Sequence, residues 1–109
     1  MEILTVENFD IFIKNDFAIV FTHKPNCPHC KILKTVINKV LPKFEEIPVA
    51  CLDSLSNEGL MKKLDTDRVP TLLICSDGEI IAKKSGIMNP QEMQRFISGA
   101  RSNASRYQC

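Results

Sequence analysis

No stretch of this sequence approaches the roughly 18 consecutive apolar residues of a membrane-spanning helix. The first ten residues, MEILTVENFD, have an acid at Glu2 and no basic segment leading into an apolar run, so they do not read as a secretory signal. The expected setting is the cytoplasm, where stable structural disulfides are uncommon. A dominant charge is missing too. Fourteen Lys and Arg against 13 Asp and Glu leave a net +1, which gives no electrostatic case for nucleic acid or an anionic membrane as partner. There is no internal repeat and no low-complexity linker. A chain of 109 residues fits one domain, taken as 1–100, followed by a polar tail, 101–109, expected to be loose. His23 and His29 are the only histidines and there is no second C-x-x-C pair, so a zinc site on Cys27, Cys30 and a histidine is conceivable but is not the expected reading. No metal and no cofactor are expected.

The sequence does contain short apolar runs alternating with helical patterns. EILT near the start and FAIVFTH (17–23) read as strands, with Phe9, Phe12 and Ile13 at helical spacing between them. From Cys27 onward, Ile32, Leu33, Val36, Ile37, Val40 and Leu41 form a broad apolar face, and Pro42 should end or kink that helix. IPVACLD (47–53) reads as a strand and NEGLMKKL as a short helix. Two apolar runs flank Ser76-Asp77-Gly78, a hairpin signal. Asn89 and Pro90 then suit the N-cap and first position of a last helix with Met93, Phe96 and Ile97 on its apolar stripe. Alternation early and a hairpin late imply a mixed α/β sheet of four to five strands with about four helices on its two faces.

The chemistry concentrates in KPNCPHCK, residues 24–31. Cys27 follows a strand and opens a helix, with Pro28 at the first helical position, where its missing N–H leaves no bond unmade. A thiolate at such an N-cap accepts free N–H groups and meets the positive helix end, which lowers a cysteine pKa. Cys30, three residues on, shares the face of the first turn, close enough for a disulfide. Cys27 is thus the candidate nucleophile and Cys30 the candidate resolving thiol. His29 between them would stabilise the thiolate and make the disulfide more oxidising, or else be a solvated spacer. Cys51 and Cys75 lie in apolar runs and are expected to be small buried hydrophobes. Cys109, on the polar tail, is placed for an intermolecular disulfide in vitro.

LTVENFD, CPHCK, RVPTLLICSDGEIIAKKSG and QEMQRFISGA together resemble the thioredoxin family over about residues 3–100. The resemblance implies that family's mixed sheet and its thiol–disulfide exchange on protein clients. It assigns Cys27 and Cys30 the roles above, Pro70 the cis-proline, Val69 the backbone that pairs with a client, and Gly86 the border of the same groove. It also implies disulfide-containing client proteins, recharging by a thioredoxin reductase or a low-molecular-weight thiol, and a monomer. Lys24, Lys31 and Arg68 would tune client choice or simply be solvated surface.

The departures are specific. Asn26 stands where the family usually has Trp, and the chain has no Trp at all. Pro28-His29 replaces Gly-Pro. No acid occurs between Phe17 and His23, and the lysine that would accompany it falls at Cys51. KPNCPHC also looks like a glutaredoxin lead-in, and CPHC matches a periplasmic thiol oxidase. The readings left open beside a disulfide reductase are therefore a glutaredoxin-like, oxidant or isomerase exchanger and a non-catalytic binding module.

Overall fold

The structure, a computed structural model, describes the backbone of residues 1–107 and the side chains of residues 1–103. Its elements in chain order are β1 (Glu2–Ile3), α1 (Phe9–Ile13), β2 (Ala18–His23), α2 (Pro28–Val40), a 3-10 turn (Leu41–Phe44), β3 (Val49–Asp53), α3 (Glu58–Lys63), β4 (Thr71–Ser76), β5 (Glu79–Ser85) and α4 (Pro90–Tyr107). The five strands lie in the order β1-β3-β2-β4-β5. β3 runs parallel to β1 and β2, and β4 runs antiparallel to both β2 and β5.

Period-two alternation divides the central strands between two cores. Ile19 and Phe21 of β2 and Leu72 and Ile74 of β4 face α2 and α4, meeting Leu33, Ile37, Met93 and Ile97. Ala18 and Val20, with Leu73 and Cys75, face α1 and α3, meeting Phe9, Phe12, Leu60 and Leu64. Burying each such Leu, Ile or Phe contributes roughly 1.5–3 kcal/mol. The helices therefore lie on both faces, as the alternation predicts.

Pro42 acts as expected. α2 stops at Val40 and tightens into the 3-10 turn. Ile32, assigned to the apolar face by its spacing, is 46% exposed, because it sits at the edge of the stripe and the buried face narrows to Cys30, Leu33, Val36, Ile37 and Val40. The hairpin turns through Asp77 at φ 52° and Gly78 at φ 88°, the two left-handed residues of a type I′ turn. At the start of α4 the Glu92 N–H donates to Asn89 Oδ1 at 2.8 Å, and the Asn89 N–H donates back to Glu92 Oε1 at 3.2 Å, a capping box.

One expectation differs. The segment from residue 101 onward, read as loose, continues α4 as far as Tyr107. No Pro or Gly interrupts residues 100–107, Ala100 is buried, and the Arg101 guanidinium donates to the Glu46 carboxylate. Polarity made the segment look unstructured, but an anchored helix needs only the absence of a breaker to propagate. Cys109 lies outside the described residues.

Candidate active site

β2 leads straight to the site. After His23 the chain turns through Asn26 at φ 57°, a left-handed conformation that Asn tolerates better than bulky residues. Cys27 follows with extended backbone, φ −109° and ψ 104°, as the N-cap of α2, and Pro28 takes the first helical position. The cap is the sulfur itself: the Cys30 N–H donates to Cys27 Sγ at 3.2 Å. Cys27 and Cys30 are joined as a disulfide with Cα atoms 5.2 Å apart, inside the usual span of such bridges. Cys27 is 6% exposed and Cys30 4%.

Two hollows are lined by residues of the segment from Lys24 to Lys34. One, of about 420 Å³, is lined by His29, Arg68, Val69, Pro70 and Gly86, so the structure brings these five sequence-selected residues together. The Val69–Pro70 bond is cis. Gly86, at φ 93°, donates its N–H to the Pro70 carbonyl at 2.9 Å. Behind the loop, the Thr71 N–H donates to Thr22 Oγ1 at 3.0 Å, and Thr71 Oγ1 donates to the Arg68 carbonyl at 2.7 Å. Thr71 Oγ1 has then spent its one proton, so Ser85 Oγ, 2.8 Å away, is the donor between those two hydroxyls. Thr22 and Thr71 are both fully buried. His29 is exposed on the first turn of α2.

A second cavity, of about 500 Å³, is lined by both Cys27 and Cys30. Phe21, His23 and Cys51 form part of its wall, and Lys24, Lys31 and Lys34 stand at its exposed rim. Phe21 and Cys51 are aligned neighbours on β2 and β3. Cys51, expected to be buried, is only half-buried, because this cavity opens beside it. Cys75 is buried as expected, on the opposite face of the sheet, and burial pushes its thiol up to about 11. Among the described residues no cluster of His, Cys, Asp or Glu is arranged to hold a metal ion.

Motif spacing located Cys27, Pro28, His29 and Cys30, and the resemblance located Val69, Pro70 and Gly86. His23, Cys51 and the Thr22–Thr71–Ser85 hydroxyls were missed. The available signal was period-two alternation in FAIVFTH, which puts Phe21 and His23 on one face.

A redox-capable cysteine pair at the N-terminus of a helix, beside a cis-proline loop on a β1-β3-β2-β4-β5 sheet, defines a thioredoxin-fold thiol–disulfide oxidoreductase. The comparisons agree. The Thioredoxin family model matches residues 1–99, and the chain belongs to that family. It is 31% identical over 100 residues to protein disulfide isomerase-like 5-1 of Oryza sativa subsp. japonica, covering 87% of this chain and 68% of that protein. The solution structure of reduced desulfothioredoxin from Desulfovibrio vulgaris Hildenborough is 35% identical with a TM-score of 0.78, covering 90% of this chain and 96% of that one. Oxidised mitochondrial thioredoxin 3 from Saccharomyces cerevisiae shares the fold at a TM-score of 0.81 and 23% identity, over 91% of this chain and 94% of that one. Among the described residues no helix is long and apolar enough to cross a membrane.

Proposed function

We propose that the protein is a reductant of protein disulfides. The observation that carries this reading is the Cys27–Cys30 pair at the start of α2, bridged and bordered by the cis-proline hollow. The Cys27 thiolate attacks one sulfur of a client disulfide, forming a mixed disulfide and releasing the other client sulfur as a thiolate. The Cys30 thiolate then attacks Cys27 Sγ, closing the Cys27–Cys30 bond and releasing the second client thiolate. Two electrons pass to the client, and a thioredoxin reductase or a low-molecular-weight thiol restores the dithiol. The client strand lies along Val69, Pro70 and Gly86, and His29 stabilises the reduced pair from the edge of that groove. A reducing compartment such as the cytoplasm suits this direction of flow.

Similarity to thioredoxins over most of the chain supports the reducing direction. The test is reduction of a disulfide-bonded protein substrate by the wild type and by Cys27→Ser. The variant is expected to lose turnover, and normal turnover by the variant refutes the reading. Equilibration of the couple in glutathione buffers fixes the direction, since about 30 mV is a tenfold change in a two-electron equilibrium. A potential near the reducing end of the family marks a reductant. A value well above it marks an oxidant or isomerase.

A further inference from the structure

We propose that His23 is the proton acceptor for Cys30 in the second step of exchange, acting through the solvent of the cavity that both side chains line. The inference rests on the dithiol cycle above and concerns a step that cycle leaves incomplete. Cys30 is 4% exposed, and its thiol must lose a proton before its sulfur can attack Cys27. The side chains packed around it in its cluster are apolar, with Cys51 against the edge. The cavity of about 500 Å³ is where Cys30 meets solvent, so the groups on its wall decide where the proton goes.

Those groups are few. The ammonium groups of Lys24, Lys31 and Lys34 donate and do not accept. They favour a thiolate nearby by charge. Cys51, on β3, is itself a thiol. Asp53, aligned with His23 on β3, turns its carboxylate to the Leu55 N–H at 2.9 Å and does not line the cavity. Met1 also lines the cavity and its α-amino group can take a proton, but the residue is 46% exposed. His23 is the acceptor fixed beside the cysteines' own cluster, and imidazole is the side chain that ordinarily exchanges a proton near neutral pH. Its ring stacks on Phe21, with centroids 5.6 Å apart, and Phe21 packs in the same cluster as Cys27 and Cys30. Phe21 therefore holds the imidazole at the cavity wall. His29 does not serve here, because it lines the opposite hollow.

The step balances. The proton leaves Cys30 Sγ for the His23 imidazole, and the Cys30 thiolate displaces the client thiolate from Cys27 Sγ. The imidazolium then returns the proton to solvent, from which the departing client thiolate is protonated. His23 is a relay residue in this scheme and makes no contact with the client.

The experiment uses the reduced full chain with Cys51→Ser and Cys109→Ser, mixed in stopped flow with an aromatic disulfide whose released thiolate is coloured. The first coloured phase reports attack by Cys27, and the second reports resolution by Cys30. In His23→Gln the first phase should be unchanged. The second should slow roughly 10²-fold at neutral pH, the low end for a positioned base, and lose the pH dependence it has in the wild type. His23→Glu, which restores a base, should recover much of the rate. An unchanged second phase and profile in His23→Gln overturns the proposal. Equal slowing of both phases also overturns it, since a general structural defect does that, and so does failure of His23→Glu to recover any rate. Cys27→Ser separates the two readings: if it keeps both phases, the dithiol cycle itself has failed.

Discussion

One hollow beside the Cys27–Cys30 segment is lined by the Asp67–Pro70 loop, Ser85, Gly86 and His29, and the loop is tied down by hydrogen bonds behind it. The Gly86 N–H holds the Pro70 carbonyl, and Thr22, Thr71 and Ser85 fasten the Arg68–Pro70 loop from behind. The other hollow is lined by both cysteines, with His23, the half-buried Cys51 and three lysines around an open cavity and no comparable hydrogen-bonded loop. The two sides suit different tasks. In the proposed cycle a client strand pairs with carbonyl and N–H groups of the Arg68–Pro70 loop, and the Thr22–Thr71 hydrogen bonds behind it are shielded from water. In the proposed relay a proton comes and goes through the cavity that Cys30 lines. Lys24 lines both hollows, and an effect of changing it would not discriminate between them.

The largest effect expected comes from cutting the link between the sides. Cys30→Ser leaves the nucleophile and the client groove intact but removes the resolving thiol. Client protein should accumulate as a mixed disulfide on Cys27, visible by non-reducing electrophoresis and mass spectrometry, with multiple turnover falling by about 10³-fold, the scale of losing a group that acts as a unit with its partner. Free turnover by this variant would break the division of labour.

Next is a contrast between two thiols. Cys75 is held up to about 11 by burial, against an ordinary value of 9.0. The folded state therefore keeps that proton longer than the unfolded chain does. The stabilisation is fully present below pH 9 and is lost as pH rises towards 11. With about 1.36 kcal/mol per unit, the loss approaches roughly 3 kcal/mol. Chemical denaturation of the wild type and Cys75→Val between pH 8 and 11 should show a steeper alkaline decline in the wild type. Cys51, open to the cavity, should be alkylated in the native protein while Cys75 is spared.

Thr22→Val should cost about 1–3 kcal/mol, because the buried Thr71 N–H loses its acceptor. It should also raise KM for a protein disulfide more than for a small aromatic one, since the loop it supports faces the client. Equal KM changes for both substrates would mean the hydroxyl network does not serve recognition. The smallest effect is Arg68→Gln. A rim charge at the groove should change KM by about twofold for acidic clients, with the difference disappearing in high salt.

Local pattern was enough for much of the molecule. DG between apolar runs is a turn wherever it occurs, and NPQE caps a helix with its own side chains. CPHC after a strand places a thiol on a helix N-terminus without reference to anything distant. Other features were invisible for a definite reason. Ile32 satisfied the helical spacing and still ended at the surface, because the width of a buried face is set by what packs on it. Residues 101–107 looked loose by polarity, yet the α4 helix carries through them, with Arg101 meeting Glu46 some 55 positions away in sequence.

The histidines draw the line most clearly. Their order in the chain determines that His29 lies between the two cysteines and that His23 ends the strand before them. It does not determine which hollow each would face. That depended on β2 being laid between β3 and β4, which set Phe21 and His23 beside Cys51, and on the Arg68–Pro70 loop closing over the opposite side of the bridge. Strand propensity, turn chemistry and helix capping act over a few residues and are written in the local order of side chains. Cavities and buried hydroxyl contacts arise between segments far apart in the chain, and they exist only once the sheet has assembled.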